Sequence, residues 1–205
     1  MFSGIIQTQG KLVRKQLDGK HAAFTFEVKG WGKPLKRGES ISVNGVCLTV
    51  VRSPKKNQFT VQAVPETLAQ TTLSHLHVKE SVNLERSLKW GDRIGGHFVL
   101  GHVDEVGRIL RKKVHKDSFL LEVEAPASML QNLVPKGSLA IDGISLTIQD
   151  ISERSVTVAV IPHTAKVTTL GRKKKGDLVN LEADVIAKHL AYLVRRSESH
   201  LGVVG

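Results

Sequence analysis

The stretch Gly38–Val51, GESISVNGVCLTVV, decides the fold because it occurs twice: its partner is Gly137–Asp150, GSLAIDGISLTIQD. Asn44-Gly45 answers Asp142-Gly143, and Cys47-Leu48-Thr49 answers Ser145-Leu146-Thr147, in each case 98 residues later. Each copy alternates apolar and polar residues around a dipeptide that accepts positive φ, the pattern of two strands joined by a two-residue turn. A hairpin that returns at a fixed interval points to a duplicated domain.

Two further blocks keep nearly the same interval. Pro65-Glu66-Thr67 with Thr71-Thr72-Leu73 is answered by Pro162-His163-Thr164 with Thr168-Thr169-Leu170, and Val82-Asn83-Leu84-Glu85 by Val179-Asn180-Leu181-Glu182. Between them the period of two predicts strands at Gly10–Val13, at His21–Val28 with Phe24, Phe26 and Val28 on one face, and at Gln58–Val64 with Phe59, Val61 and Ala63 together. In the second half Ser118–Glu124 and Ser155–Ile161 read as strands. Pro65 and Pro162 suit the first turn of short helices, and Pro126–Leu133 reads as another. Each repeat thus holds about six short strands. Closing them into a barrel leaves no open edge. The fold class is all-β: two similar barrels joined near Lys89–Gly96. Val185–Arg195 belongs to neither. It places Ile186, Leu190, Leu193 and Val194 at helical spacing, a stripe expected to meet other copies of the chain. Ser197–Gly205 is expected to be a loose tail.

Composition narrows the function classes. No apolar run approaches the roughly 18 residues of a membrane span. The start MFSGIIQTQG lacks the basic and apolar regions of a signal peptide. The single cysteine, Cys47, forms no internal disulfide, so a reducing, cytoplasmic setting is expected. The net charge is +11, with clusters at Arg111-Lys112-Lys113 and Arg172-Lys173-Lys174-Lys175, but both fall in expected turns. Six Phe, two Trp and one Tyr are not interleaved with them as a base-stacking groove requires, so nucleic acid is not the expected partner. GxxxxGK[ST], a Rossmann fingerprint and a Ser-His-Asp order are all absent.

The repeated threonines carry the binding argument. Thr49 and Thr147 follow the turns; Thr67 and Thr164 open the helices. A planar polar heterocycle fits between such a strand and a helix start, where hydroxyls and free N–H groups are donors. The alternative is that these threonines are ordinary strand and cap residues. Duplication favours two like sites for two like ligands. The differences between the copies are where a reaction can sit: Ser40 and Cys47 in the first, Ser138 and Ser145 in the second. Cys47 lies among apolar neighbours and reads as a small packing residue. His97 and His102 in GGHFVLGH lack the third ligand a zinc site needs, and either suits acid–base work near neutral pH. His75, His77, His115 and His163 read as surface or cap positions. Asp184 reads as a helix N-cap.

Together MFSGII, SVNGVCLTV, PETLxxTTL, GDxxGGHFVLGHV, AIDGISLTI, IPHTxxxTTL and VNLEAD resemble riboflavin synthase, over residues 1 to about 195. The resemblance implies two six-stranded Greek-key barrels, a C-terminal helix and a homotrimer. Residues 1–96 and 97–184 are then lumazine-binding barrels, and residues 185–205 a trimerisation helix and tail. It implies a transferase that dismutates two 6,7-dimethyl-8-ribityllumazine molecules into riboflavin and 5-amino-6-(ribitylamino)uracil, the last step of riboflavin biosynthesis, without cofactor or metal. The site is expected between the first barrel of one subunit and the second barrel of the next. Docking onto lumazine synthase is left open.

Residue by residue, Phe2, Ser40, Cys47, His97, His102 and Asp184 stand at the family's reaction positions. Gly4, Ile5 and Ile6, Cys47, Leu48 and Thr49, and Gln62, Ala63, Val64, Pro65, Glu66 and Thr67 match lumazine-contacting segments assigned to the first barrel. Gly101, His102 and Val103, Lys136, Ser145, Leu146 and Thr147, and Ala159, Val160, Ile161, Pro162, His163 and Thr164 match those of the second. His102 and Ser40 are the candidates for proton transfer, with Cys47 a lining residue. Ser3, Gln7, Glu105 and His163 depart from the commoner pattern. The chain also looks similar to the lumazine-binding antenna proteins of luminescent bacteria, which lack several of the reaction positions.

Overall fold

The computed structural model describes residues 1–19 and 21–201. Six strands form the first barrel: β1 (Thr8–Asp18), β2 (His21–Val28), β3 (Ser40–Val43), β4 (Val46–Lys55), β5 (Gln58–Ala63) and β6 (Ser81–Arg86). Their order is β1-β2-β5-β4-β3-β6, and β6 pairs back onto β1 through Thr8 and Leu84, closing the sheet. Strands β3, β4 and β5 are consecutive hairpin partners, while β2 lies beside β5, which makes the topology a Greek key. The second barrel repeats this with β7 (Glu105–His115), β8 (Ser118–Glu124), β9 (Ser138–Ile141), β10 (Ile144–Ile151), β11 (Ser155–Val160) and β12 (Leu178–Ala183). Even the register shifts recur, at Leu12/Arg14 and Ile109/Arg111 and at Val50/Arg52 and Ile148/Asp150. Such bulges bend strands enough to close a small barrel.

The organising hairpins turn as their sequence dictates. Asn44 and Gly45 have φ of 46° and 80°, and Asp142 and Gly143 have 47° and 78°. Two consecutive positive φ values define the mirror-image turn that matches strand twist. After each third hairpin strand comes a short helix, α1 (Pro65–Gln70) or α3 (Pro162–Val167), and then a 3-10 turn. A four-residue helix α2 (Ala127–Leu130) occurs only in the second half.

Each barrel has its own core. The first is aromatic, with Phe24, Phe26 and Phe59 fully or nearly buried; the second is aliphatic, built on Ile109, Leu121, Leu139, Ile141 and Val158. The barrels meet across their hairpin tips. Asn83 of β6 reaches into the second barrel, donating to the Asp142 carbonyl (3.1 Å) and accepting from the Thr169 N–H (2.8 Å). Asn180 of β12 does the same in reverse with the Asn44 carbonyl and the Thr72 N–H, both at 2.8 Å. Between these pairs the backbones of Gly45 and Gly143 touch, so closely that a Cβ on Gly45 would lie 2.6 Å from the Gly143 nitrogen. The contact has local two-fold symmetry.

Three expectations need correction, the first being the basic cluster Arg111-Lys112-Lys113, which lies within strand β7 and not in a turn. Strand β1 is much longer than Gly10–Val13, because the bulge between Leu12 and Arg14 breaks the alternation and leaves Val13 and Leu17 facing outward. Helix α4 (Val185–Leu201) runs through Ser197, where a loose tail was expected, since no glycine or proline interrupts it before Gly202; residues 202–205 lie outside the described residues. Asp184 caps α4 by accepting from the Ile186 N–H at 2.8 Å. Lys188 pins its first turns to Asp104 (2.9 and 3.1 Å). Ile186, Leu190, Tyr192, Leu193 and Val194 are all more than half exposed, so its apolar stripe is left uncovered by the described residues. No described helix is long and apolar enough to cross a membrane.

Candidate functional site

Two segments that precede the barrels build the site, and the structure exchanges them. The N-terminal residues leave the first barrel and lie on the second: the Ser145 N–H donates to the Gly4 carbonyl at 2.8 Å, and Ile6 packs against the second core. Residues 99–103 lead into the second barrel yet lie on the first: the Cys47 N–H donates to the Gly101 carbonyl at 2.8 Å, and Val103 packs against the first core. The two segments pair where they pass, with Phe2 bridging to Val99. This corrects the assignment of the contact segments. Gly4, Ile5 and Ile6 sit with Ser145, and Gly101, His102 and Val103 sit with Cys47. Glycine is required at both crossing points. Gly4 and Gly101 have φ of 76° and 80°, and a Cβ would lie 2.6 Å from Ser145 Cβ or 2.5 Å from Cys47 Cβ.

The first assembly holds Cys47, Ser40 and His102. Cys47 is half-buried at the start of β4, packed with Phe2, Val99 and Ala140. Burial pushes its thiol up; the N-terminal ammonium and a hydrogen bond from Ser40 oppose this, and Glu182 adds to it. A neutral thiol is a poor nucleophile. His102 follows Gly101 and is exposed. Strand β4 pairs with β5 through Val50 and Val61, which sets Leu48-Thr49 beside Gln62-Ala63 and the α1 start. Leu48 and Ala63 are core residues and can meet a ligand only through backbone; Thr49, Gln62, Val64 and Glu66 are exposed, and Pro65 and Thr67 half-buried.

The second assembly has the same backbone and other side chains. His97 Nδ1 lies 2.7 Å from Ser145 Oγ, and its Nε2 is buried with no partner. Burial holds the imidazole below its ordinary pKa, with the Asp184 charge working against it, so the ring is neutral near pH 7. Strands β10 and β11 pair through Ile148 and Val158, which brings Ser145-Leu146-Thr147 beside Ala159-Val160 and the α3 start. Leu146 and Val160 are core; Thr147, Ile161, Pro162 and His163 are exposed, and Ala159 and Thr164 half-buried. Lys136 adjoins, 3.3 Å from Gln149 Oε1. Neither α1 nor α3 has a side-chain cap, so each offers unpaired N–H donors at its start. Phe2, with no exposed surface, and Val99 seal the seam where the two segments pass.

Two residues of this arrangement were not singled out from the sequence. Glu85 and Glu182 are 2% and 3% exposed and hold the crossing segments. Glu85 accepts from the Ser3 N–H (2.8 Å), the Ser3 hydroxyl (2.8 Å) and the Gly4 N–H (3.0 Å). Glu182 accepts from the Leu100 (2.8 Å) and Gly101 (2.9 Å) N–H groups. The signal was available: Val-Asn-Leu-Glu occurs twice, with two polar residues on a strand between apolar ones.

The lumazine binding domain family matches residues 3–87 and again 100–184. A riboflavin synthase of Actinobacillus pleuropneumoniae is 40% identical over 190 residues, 93% of this chain and 88% of that protein. This chain belongs to the riboflavin synthase family. A member from Bacillus amyloliquefaciens is 39% identical over 97% of this chain and 92% of its own length. The fold of the family is shared by LumP, solved with 6,7-dimethyl-8-(1'-D-ribityl)lumazine, at a TM-score of 0.78 and 24% identity, covering 89% of this chain and 99% of that one.

Proposed function

We propose that the protein is a riboflavin synthase acting on two molecules of 6,7-dimethyl-8-ribityllumazine. One gives up a four-carbon unit and leaves as 5-amino-6-(ribitylamino)uracil; the other receives it and leaves as riboflavin. The exchange balances without an outside oxidant or co-reactant. The observation that carries this reading is the pair of assemblies with one backbone and unequal side chains. A dismutation needs one substrate bound twice but treated differently, and holding the two rings together accounts for much of the expected acceleration.

In this reading the barrels of residues 1–96 and 97–184 each bind one lumazine, each site completed by the other's leading segment, at the strand–helix junctions where Val64 and Ile161 are left 46% and 58% exposed. Ser40 and His102 handle protons at the first site, beginning with the acidic C7 methyl group, and Cys47 lines it. At the second, neutral His97 is held by Ser145, with the Asp184 charge acting on the ring. Phe2 closes the seam. The exposed stripe of α4 supports a homotrimer through residues 185–205, with the reaction between barrels of neighbouring subunits. A cytoplasmic setting follows from the lone cysteine.

The decisive experiment mixes the purified protein with the lumazine alone. Riboflavin formed at half the lumazine consumed is the expected outcome. Binding without turnover would place the chain with proteins that only hold the chromophore. Deleting residues 185–205 should dissociate the oligomer in sedimentation; an intact oligomer would remove α4 from that role.

A further inference from the structure

Each assembly is held in place by the barrel to which it does not belong. Glu182, on β12 of the second barrel, binds the Leu100 and Gly101 N–H groups with one oxygen each, and the Gly101 carbonyl then takes the Cys47 N–H of the first barrel. Glu85, on β6 of the first barrel, binds Ser3 and Gly4, and the Gly4 carbonyl takes the Ser145 N–H of the second. We propose that Glu85 and Glu182 are positioning residues that set the two sites crosswise. Glu182 fixes Gly101-His102 against Cys47, and Glu85 fixes Ser3-Gly4 against Ser145 and, through the Ser3 carbonyl, the His97 N–H at 3.1 Å.

The chemistry of the group explains its use. A carboxylate is acceptor-only, with two oxygens spaced to meet two consecutive N–H groups, and charge-assisted bonds of this kind are short and directional. The glycine in positive φ turns its N–H toward the same point as its neighbour's, making a small concave anion seat. Burying a carboxylate is costly unless it is bonded this fully. The same cost is met at both equivalent positions, although the surrounding side chains have diverged. Burial pushes both carboxyls above their usual range, with the backbone N–H groups opposing it. The seats differ in their side chains: Ser3 adds a hydroxyl to Glu85, whereas Glu182 feels the charges of Lys188 and Asp104 instead.

The inference rests on the riboflavin synthase reading for its kinetic arm and on geometry alone for its second arm. The variants are Glu85→Gln and Glu182→Gln, which keep shape but turn one acceptor into a donor facing an N–H. In the full-length protein each should lower kcat by about 10- to 100-fold, the cost of misplacing reacting groups by an ångström or so, with KM changed much less. Cys47 is the chain's one thiol, so its labelling rate reports on the Gly101 contact, and Glu182→Asp, which keeps the charge that raises the thiol, separates that contact from the charge itself. Glu182→Gln should label several-fold faster than wild type, while Glu85→Gln, which loosens only the segment that carries Phe2, should speed labelling much less. Wild-type turnover in both variants, or equal labelling in the two, would overturn the crosswise assignment. If Glu182→Gln does not fold, Glu182→Asp, which keeps both acceptors but retracts them, should show the same faster labelling; an unchanged rate would count against the proposal. If wild type makes no riboflavin, the functional reading fails, and the labelling comparison still decides the clamp.

Discussion

The hairpin tips of the two barrels meet across the same contact with different chemistry. In the first barrel Asn44 Oδ1 accepts from the Asn83 N–H at 2.7 Å; in the second, Asp142 Oδ1 accepts from the Asn180 N–H at 2.8 Å. The bond is the same, but Asp142 brings a second oxygen that is fully buried and has no hydrogen bond. Lys173 answers it from 3.6 Å. The residue in Lys173's place in the first repeat is Leu76, which is buried against the first core. Charge and counter-charge therefore occur together in one barrel and are absent together in the other. The backbone of the duplicated unit is what the fold depends on; the side chains at equivalent points are free to diverge, as Asn44/Leu76 and Asp142/Lys173 do together and as Cys47 and Ser145 also do.

The largest effect should come from the glycines that both tips share. Gly45→Ala or Gly143→Ala drives a Cβ into the opposing backbone from a residue in positive φ. Backbone strain and overpacking at about 1–3 kcal/mol each predict a loss of roughly 4 kcal/mol in urea unfolding. Equal losses for the two variants are expected, and a clearly unequal pair would show that the contact is less symmetric than its geometry.

Next comes the barrel-specific pair. Lys173→Leu leaves the Asp142 charge without its counter-ion and should cost about 3 kcal/mol at neutral pH. Adding Asp142→Asn, which recreates the first barrel's chemistry, should recover most of it. The pH dependence has a definite sign. Burial pushes the Asp142 carboxyl above its ordinary value, and Lys173 opposes that. The folded chain thus binds this proton more tightly than the unfolded chain, so the contribution to stability is greatest below the ordinary aspartate pKa and declines as pH rises through the elevated one. Denaturation midpoints across that range should show a decline that is steeper in Lys173→Leu and reduced in Asp142→Asn.

Asn83→Ala and Asn180→Ala each leave one buried N–H and one carbonyl without a partner, for about 2 kcal/mol apiece. Their near-equality tests the two-fold contact from its polar side. The smallest effect is expected from Cys47→Ser, which gives the first assembly the second one's side chain. Because burial keeps the thiol neutral, kcat should fall by less than about tenfold; a loss on the scale of about a thousandfold would make Cys47 a nucleophile and break the likeness of the two sites.

Much of the arrangement was legible in advance because it is local. Asn44-Gly45 and Asp142-Gly143 permit one kind of turn, Pro65 and Pro162 start helices, Asp184 caps one, and the repeat spacing makes two like barrels of them. The exchanged segments were not legible. Gly4 belongs to the first repeat by sequence yet seats on Ser145 of the second, and periodicity carries no information about which barrel a leading segment crosses to. Glu85 and Glu182 showed only as a repeated Val-Asn-Leu-Glu strand; that each carboxylate is buried beneath a crossing segment is seen only from the N–H groups it meets. The orphaned Nε2 of His97 is equally invisible without the protein packed around it.

The sequence by itself determined the hairpins, the duplication and the all-β class, because turn geometry and strand period act over a few neighbouring residues. Only the tertiary structure decided which half-sites combine, how deeply each ionisable group is buried, and hence which of them stay neutral. Those outcomes depend on contacts between residues about a hundred positions apart, where desolvation and backbone hydrogen bonds outweigh any local preference.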